Sequence, residues 1–250
     1  MNIVVCIKIL KESLISSKTW FNELISSCDT YALSLALQLK KLTNANVSVI
    51  SMGPLNTKKA LTDLYMTGVD QVYLISDNAF AGSDTLATSY ILSRALLKIP
   101  HDIILCGDHT DDSATGQVSI QLANWLKYNF LTQINDIRLD NDGVRVFIDN
   151  TIKYVSCPLV LTVKNRIPLP FPSLSIIEKS KDKEIYIFDC SYIHANCENC
   201  GFVGSPTKLK QLDAYNMEFG KRKRIIFNSK STENGLKLIQ IVNYYLQTDY

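Results

Sequence analysis

Between an apolar run and a helical pattern lies Gly107-Asp108-His109-Thr110-Asp111-Asp112-Ser113-Ala114-Thr115-Gly116-Gln117-Val118. Small residues at such a passage let the backbone come close to a ligand. The N–H groups of the helix's first turn are then free to face an anion. The chemistry on offer is phosphate or nucleotide binding. The segment is neither a Walker loop nor GxGxxG, so it names no particular nucleotide. A plain strand-to-helix loop with Asp and Ser caps accounts for the same residues. Ala81-Gly82-Ser83-Asp84-Thr85-Leu86-Ala87-Thr88-Ser89-Tyr90 repeats the arrangement one unit earlier. Ser83 or Asp84 caps that helix. Thr85 and Thr88 share a helical face, so two hydroxyls can meet a cofactor chain lying across the helix start.

Acid–base and nucleophilic constellations are missing. There is no GxSxG and no HExxH, and His101, His109 and His194 have no companion pattern. Only His109 is placed to meet a ligand, and a solvent-facing loop histidine explains it as well. Asp111 and Asp112 are adjacent, so their side chains diverge and no paired-carboxylate mechanism is suggested. The seven cysteines are odd in number, which argues against a full disulfide framework. Cys197-Glu198-Asn199-Cys200, with Cys190 and His194 nearby, resembles half a zinc or redox site. The second pair is missing, and free thiols are the simpler reading.

The elements that must position these clusters alternate. Apolar runs at residues 3–7, 47–50, 72–75 and 102–107 read as strands. Residues 29–42, 57–66, 85–97 and 116–126 read as helices, the first capped by Asp29. Strands apolar throughout and separated by helices form a parallel sheet covered on both faces. The expected fold is therefore α/β, a doubly wound mostly parallel sheet, with ligands at the carboxyl ends of its strands. Beyond Trp125 the alternation stops. Residues 135–139, 144–148 and 152–155 read as hairpin strands with turns at Asp140-Asn141-Asp142-Gly143 and Asp149-Asn150, and 159–163 as a further strand. Pro168, Pro170 and Pro172 exclude a helix over residues 167–174 and leave an exposed loop. The remainder reads as an extended tail ending in an amphipathic helix from Thr232. Two domains are expected: 1–181, holding the ligand, and 182–250, a tail for docking.

Composition narrows the partners. A net charge of +2 is too small to suggest nucleic acid or an anionic membrane, and Lys221-Arg222-Lys223-Arg224 reads as the solvated edge of a strand. No stretch reaches the ~20 apolar residues of a membrane span. Met1 to Lys8 reads as a buried strand rather than a secretory signal, so the cytoplasm is the expected compartment.

The whole chain resembles the β subunit of electron-transfer flavoproteins. The resemblance rests on Val4-Val5-Cys6-Ile7-Lys8, Ile50-Ser51-Met52-Gly53-Pro54, Met66-Thr67-Gly68-Val69-Asp70, the loop 107–118 and Gly201-Phe202-Val203-Gly204-Ser205-Pro206-Thr207. Ordinary members of that family hold AMP in β, and flavin-bifurcating members hold a second FAD there. Gly82, Asp84-Thr85, Ala87-Thr88 and Ser89 reproduce the Gly-x-Asp-Thr-x-Ala-Thr-Ser element of the bifurcating type. The resemblance thus implies FAD on this subunit and NADH as electron donor. It also implies an α subunit, an acyl-CoA dehydrogenase, and ferredoxin or flavodoxin as low-potential acceptor. Its implied cofactor set is Cys6, Asp29, Met52, Gly53, Asp84, Thr85, Thr88, Gly107, Asp112, Ser113, Ala114, Thr115, Gly116, Gln117 and Val118, with no catalytic residue and no metal. A β subunit holding structural AMP and a stress-type ATP-binding module are the alternatives. Two departures stand out. Ser26-Ser27 replaces the family's Asn-Pro pair. Ile167-Pro168-Leu169-Pro170-Phe171-Pro172-Ser173-Leu174 keeps only the aromatic position and the Pro-Ser-Leu end of the partner-recognition loop.

Overall fold

A computed structural model describes residues 1–10, 25–140 and 143–207, all within one compact unit, Met1–Lys208. The segment 11–24, the turn tip at 141–142, the basic run at 221–224 and the helix expected from Thr232 lie outside the described residues.

Ten strands and five α-helices follow one another as β1 (Asn2–Cys6), α1 (Ser27–Thr43), β2 (Asn46–Met52), α2 (Lys58–Asp63), β3 (Gln71–Ile75), α3 (Thr85–Leu96), β4 (Ile103–Gly107), α4 (Gln117–Leu126), β5 (Asn129–Ile134), β6 (Asp136–Asp140), β7 (Gly143–Ile148), β8 (Thr151–Val155), β9 (Leu159–Val163), α5 (Leu174–Ser180) and β10 (Tyr186–Phe188) among the described residues. Seven strands form one sheet in the order β10-β3-β2-β1-β4-β9-β5, every neighbouring pair parallel. β6, β7 and β8 form a separate antiparallel sheet. The mostly parallel, doubly wound expectation is met, with the hairpin strands set apart. Among the described residues no helix is long and apolar enough to cross a membrane.

The continuous apolar runs are explained by burial on both sides. Within β1, Ile3 and Val5 pack into one core and Val4 into the other. In β4, Ile103 and Leu105 oppose Ile104 and Cys106 in the same way. α1 supplies Ala32, Leu33, Leu35 and Ala36 to the first core, while α3 and α4 supply Ile91, Ala95 and Leu122 to the second. Each fully buried Ile, Leu or Val contributes about 1.5–3 kcal/mol. The order of strands reverses between β1 and β4: β1 feeds a helix on one face, β4 a helix on the other. A crevice opens at the carboxyl ends of strands at such a point.

The helix expected over 57–66 is broken. One 3₁₀ turn, Leu55–Thr57, precedes α2, and another, Leu64–Thr67, follows it, ending at Gly68. Three elements were not expected: β5, half of whose residues are exposed, the short α5, and β10, which takes residues of the expected tail into the sheet beside β3. The proline-bearing residues 167–173 form no regular structure, as expected, and Phe171 is 89% exposed at their centre.

Candidate functional site

A cavity of about 350 Å³ opens at the reversal point between β1 and β4. Of the expected residues, Cys6, Asp29, Met52, Asp84, Thr85, Thr88, Gly107, Ser113, Thr115, Gly116, Gln117 and Val118 line it. Gly53, Asp112 and Ala114 do not. Segments far apart in sequence, the two small-residue clusters among them, thus share one space. His109, the one histidine expected to meet a ligand, lines it too, as do Lys8, Ile50, Ser83 and Asp108 from the same motifs; Leu92 and Cys106 line it unforeseen. Leu92 lies one helical turn beyond Thr88, a spacing that could have found it. Lys8 and Cys106 adjoin the ends of β1 and β4, which the rule for open α/β sheets points to.

Asp29 forms the floor. It does not cap α1. The helix begins at Ser27 behind Ser26, whose side chain makes no capping bond, and Asp29 lies inside the first turn. Its carboxylate reaches across the crevice instead. Oδ2 accepts the Lys8 N–H at 2.8 Å and Oδ1 accepts the Gly107 N–H at 3.1 Å. It thereby ties the ends of β1 and β4, whose backbone donors have no strand neighbour beyond that point. Burial is the dominant influence and pushes its pKa up to about 7, with the two N–H donors pulling the other way. A carboxyl so placed is only partly charged at neutral pH, which lessens its repulsion of a nearby phosphate.

The loop 108–116 is strapped to the start of α1. Asp111 accepts the Ser27 N–H at 2.7 Å and the Ser27 hydroxyl at 2.8 Å, and its own N–H donates to Ser26 Oγ at 3.2 Å. Ser26-Ser27 thus does structural work where the family has Asn-Pro. Asp112 turns the other way, to the Lys8 ammonium at 2.7 Å, so it braces the loop from outside the cavity. That hydrogen bond helps hold its carboxyl below the usual range against the opposing effect of burial. The two aspartates diverge as expected. His109 is half-exposed at the rim, both ring nitrogens 3.7 Å from Cys28 Sγ.

The two helices at the rim differ at their starts. α3 is fully capped: Asp84 Oδ1 accepts the N–H groups of Leu86 at 2.9 Å and Ala87 at 3.0 Å. α4 is not. Gly116, at φ 62°, stands before it and makes no side-chain cap bond. The residues of its first turn, Gln117, Val118 and Ser119, line the cavity. Uncapped N–H groups at the positive end of a helix dipole suit an anion. With Ile50, Met52 and Cys6 as apolar wall, this donor set fits a nucleotide: phosphate at α4, a flat ring against the wall.

The segment 189–207 holds the α3 side in place. Ser205 Oγ accepts the Asp84 N–H at 2.8 Å, and Asp84 Oδ2 accepts the Thr207 N–H at 3.0 Å. Gly201 N–H donates to Ser83 Oγ at 3.1 Å, and Phe202 N–H to the Ala81 carbonyl at 2.9 Å. Although burial pushes the Asp84 carboxyl upward, the N–H groups of Ala87, Thr207 and Leu86 together hold it below its ordinary value. Two sequence elements more than a hundred residues apart form one rim. Among the described residues no group of three or more Cys, His, Asp or Glu could hold a metal ion.

Residues 22–191 match the family model described as "Electron transfer flavoprotein domain". The chain is 33% identical over 227 residues to the electron transfer flavoprotein subunit beta of Clostridium acetobutylicum, covering 84% of this chain and 87% of that one. It is 31% identical to Protein FixA of Azotobacter vinelandii over 236 residues, 86% of this chain and 84% of that one. It is 32% identical to the caffeyl-CoA reductase–Etf complex subunit CarD of Acetobacterium woodii over 188 residues, 72% of each.

Proposed function

The chain belongs to the electron transfer flavoprotein family, as a β subunit, and from that premise we propose that it holds FAD in the cavity between β1 and β4 and works in a heterodimer with an α subunit. The electrons come from NADH and leave in two directions: through α to an acyl-CoA dehydrogenase, and to ferredoxin or flavodoxin. A bound flavin supplies the two-electron chemistry with NADH and the one-electron chemistry beyond it.

This chain's residues bind and orient. The N–H groups of Gln117, Val118 and Ser119 receive phosphate oxygens at the uncapped start of α4. Asp29 keeps the Lys8 and Gly107 backbone out of the ligand's way by accepting both N–H groups. Thr85 and Thr88 offer hydroxyls along the α3 wall, which Asp84, Ser205 and Thr207 keep rigid. Ile50, Met52 and Cys6 exclude water on the opposite side.

The observation that carries the reading is the juxtaposition of the Gly82–Ser89 element with the uncapped α4 in one cavity. A small wall of hydroxyl-bearing residues beyond the phosphate site is superfluous for AMP and useful for the longer FAD. Similarity to a subunit of a caffeyl-CoA reductase–Etf complex points the same way. The cavity's modest volume favours the second reading, AMP as a structural ligand with electron transfer confined to α.

The test is anaerobic. The heterodimer is mixed with NADH and ferredoxin, with and without an acyl-CoA dehydrogenase and its enoyl-CoA. Ferredoxin reduction that depends on both dehydrogenase and enoyl-CoA supports the proposal. NADH that leaves the flavin absorbance unchanged refutes it.

A further inference from the structure

The thiols of Cys190 and Cys197 lie 3.5 Å apart, Sγ to Sγ, on the segment that holds the α3 rim. The CxxC spacing of Cys197 and Cys200 suggests a different pair. Cys200 donates to the Asn196 carbonyl at 3.3 Å and, at 1% exposure, is closed to an oxidant in solvent. Cys197 is exposed and Cys190 half-buried, and all three are reduced. Bond formation shortens the separation of Cys190 and Cys197 sulfurs to about 2.0 Å.

We propose that Cys190 and Cys197 are a dithiol–disulfide site that reacts with small-molecule disulfides. The exposed Cys197 sulfur, as thiolate, attacks one sulfur of the oxidant. A mixed disulfide forms and one small thiolate leaves. Cys190 gives its proton to solvent and attacks the Cys197 sulfur, and the second small thiol departs. Two protein thiols lose two electrons and two protons, and one small disulfide becomes two thiols. Burial, with the hydrogen bond that the protonated Cys190 thiol shares with Cys197 Sγ, pushes Cys190 up to about 12. A thiol so held is not the first nucleophile; the part of the rise that the Cys197 thiol causes is gone once that sulfur is in the mixed disulfide, where Cys190 attacks.

The position gives the site a consequence. Cys190 N–H donates to Asp77 Oδ2 at 3.0 Å, and Asn196 N–H to the Tyr90 hydroxyl at 2.9 Å. A bond between 190 and 197 closes the short loop that carries these anchors. It therefore restrains the start of the segment that ends on Asp84, and the restraint favours the folded state by limiting the unfolded one.

The full-length chain, in complex with its α subunit, is incubated with oxidised glutathione, and its peptides are mapped by mass spectrometry without reductant. The expected result is a 190–197 linkage, loss of two titratable thiols, reversal by dithiothreitol and a raised unfolding midpoint. Cys190→Ser, which keeps the shape of the site, is expected to trap glutathione on Cys197 and to lose the midpoint shift. Free thiols at both positions after oxidation, or a Cys197–Cys200 linkage, overturns the proposal. So does a Cys190→Ser chain that carries no adduct on Cys197.

Discussion

A methyl group placed on Gly107 would sit 2.4 Å from Asp29 Oδ1 and 2.8 Å from the backbone nitrogen of the same residue. The carboxyl end of β4 therefore touches the first turn of α1, and only a hydrogen atom fits between them. This contact sets the depth of the cavity floor.

Gly107→Ala is expected to destabilise the chain by about 1–3 kcal/mol, because the obstruction is backbone and a buried carboxylate rather than a flexible side-chain end. Chemical denaturation measures it. Nucleotide content should fall with stability, since Asp29 can no longer hold both N–H groups.

Asp29 makes stability depend on pH in a defined direction. Its pKa is about 7 in the folded chain against 3.8 for the free group. Between those values the folded state holds a proton that the unfolded state has lost, so unfolding becomes easier as pH rises. The contribution is complete below about 3.8 and gone above about 7. Asp29→Asn should lack that slope. It also leaves one of two backbone donors unpaired, at a cost of about 1–3 kcal/mol. Urea unfolding of both chains from pH 4 to pH 8 checks the difference curve.

Asp84→Ala removes a helix cap and an anchor together. The cap alone accounts for about 0.5–2 kcal/mol. Hydrogen exchange should accelerate at residues 201–207 as well as at Leu86 and Ala87. A loss confined to the first turn of α3 would show that the segment holds itself.

Thr88→Val keeps the shape of the α3 wall and removes one hydroxyl. It is expected to weaken flavin retention in β selectively, with stability changed by less than about 1 kcal/mol. Flavin content after gel filtration is the measurement, and unchanged content rules out the role.

Much of the scaffold was legible because its signals are local. Ile3 to Val5, Val72 to Ile75 and Ile103 to Cys106 are apolar without alternation, and that announces a sheet buried on both faces. Asp84 as a cap was legible from its place before Thr85. The illegible parts depend on distant partners. Asp29 stands where a cap is expected, yet its acceptors serve Lys8 and Gly107, the latter 78 residues away. Asp112 carries the acidic position of the resemblance but turns outward to Lys8. β5 has a mixed, half-exposed sequence, and only its pairing with β9 makes it a strand. The contact of Cys190 with Cys197, rather than Cys197 with Cys200, follows from a turn no spacing rule describes.

The central claim is that the crevice between β1 and β4 holds FAD. The direct measurement is the number of flavins released per heterodimer on denaturation, counted by absorbance and identified by mass spectrometry. The account predicts two FAD, one of them lost selectively with Thr88→Val. One FAD accompanied by one AMP would contradict it.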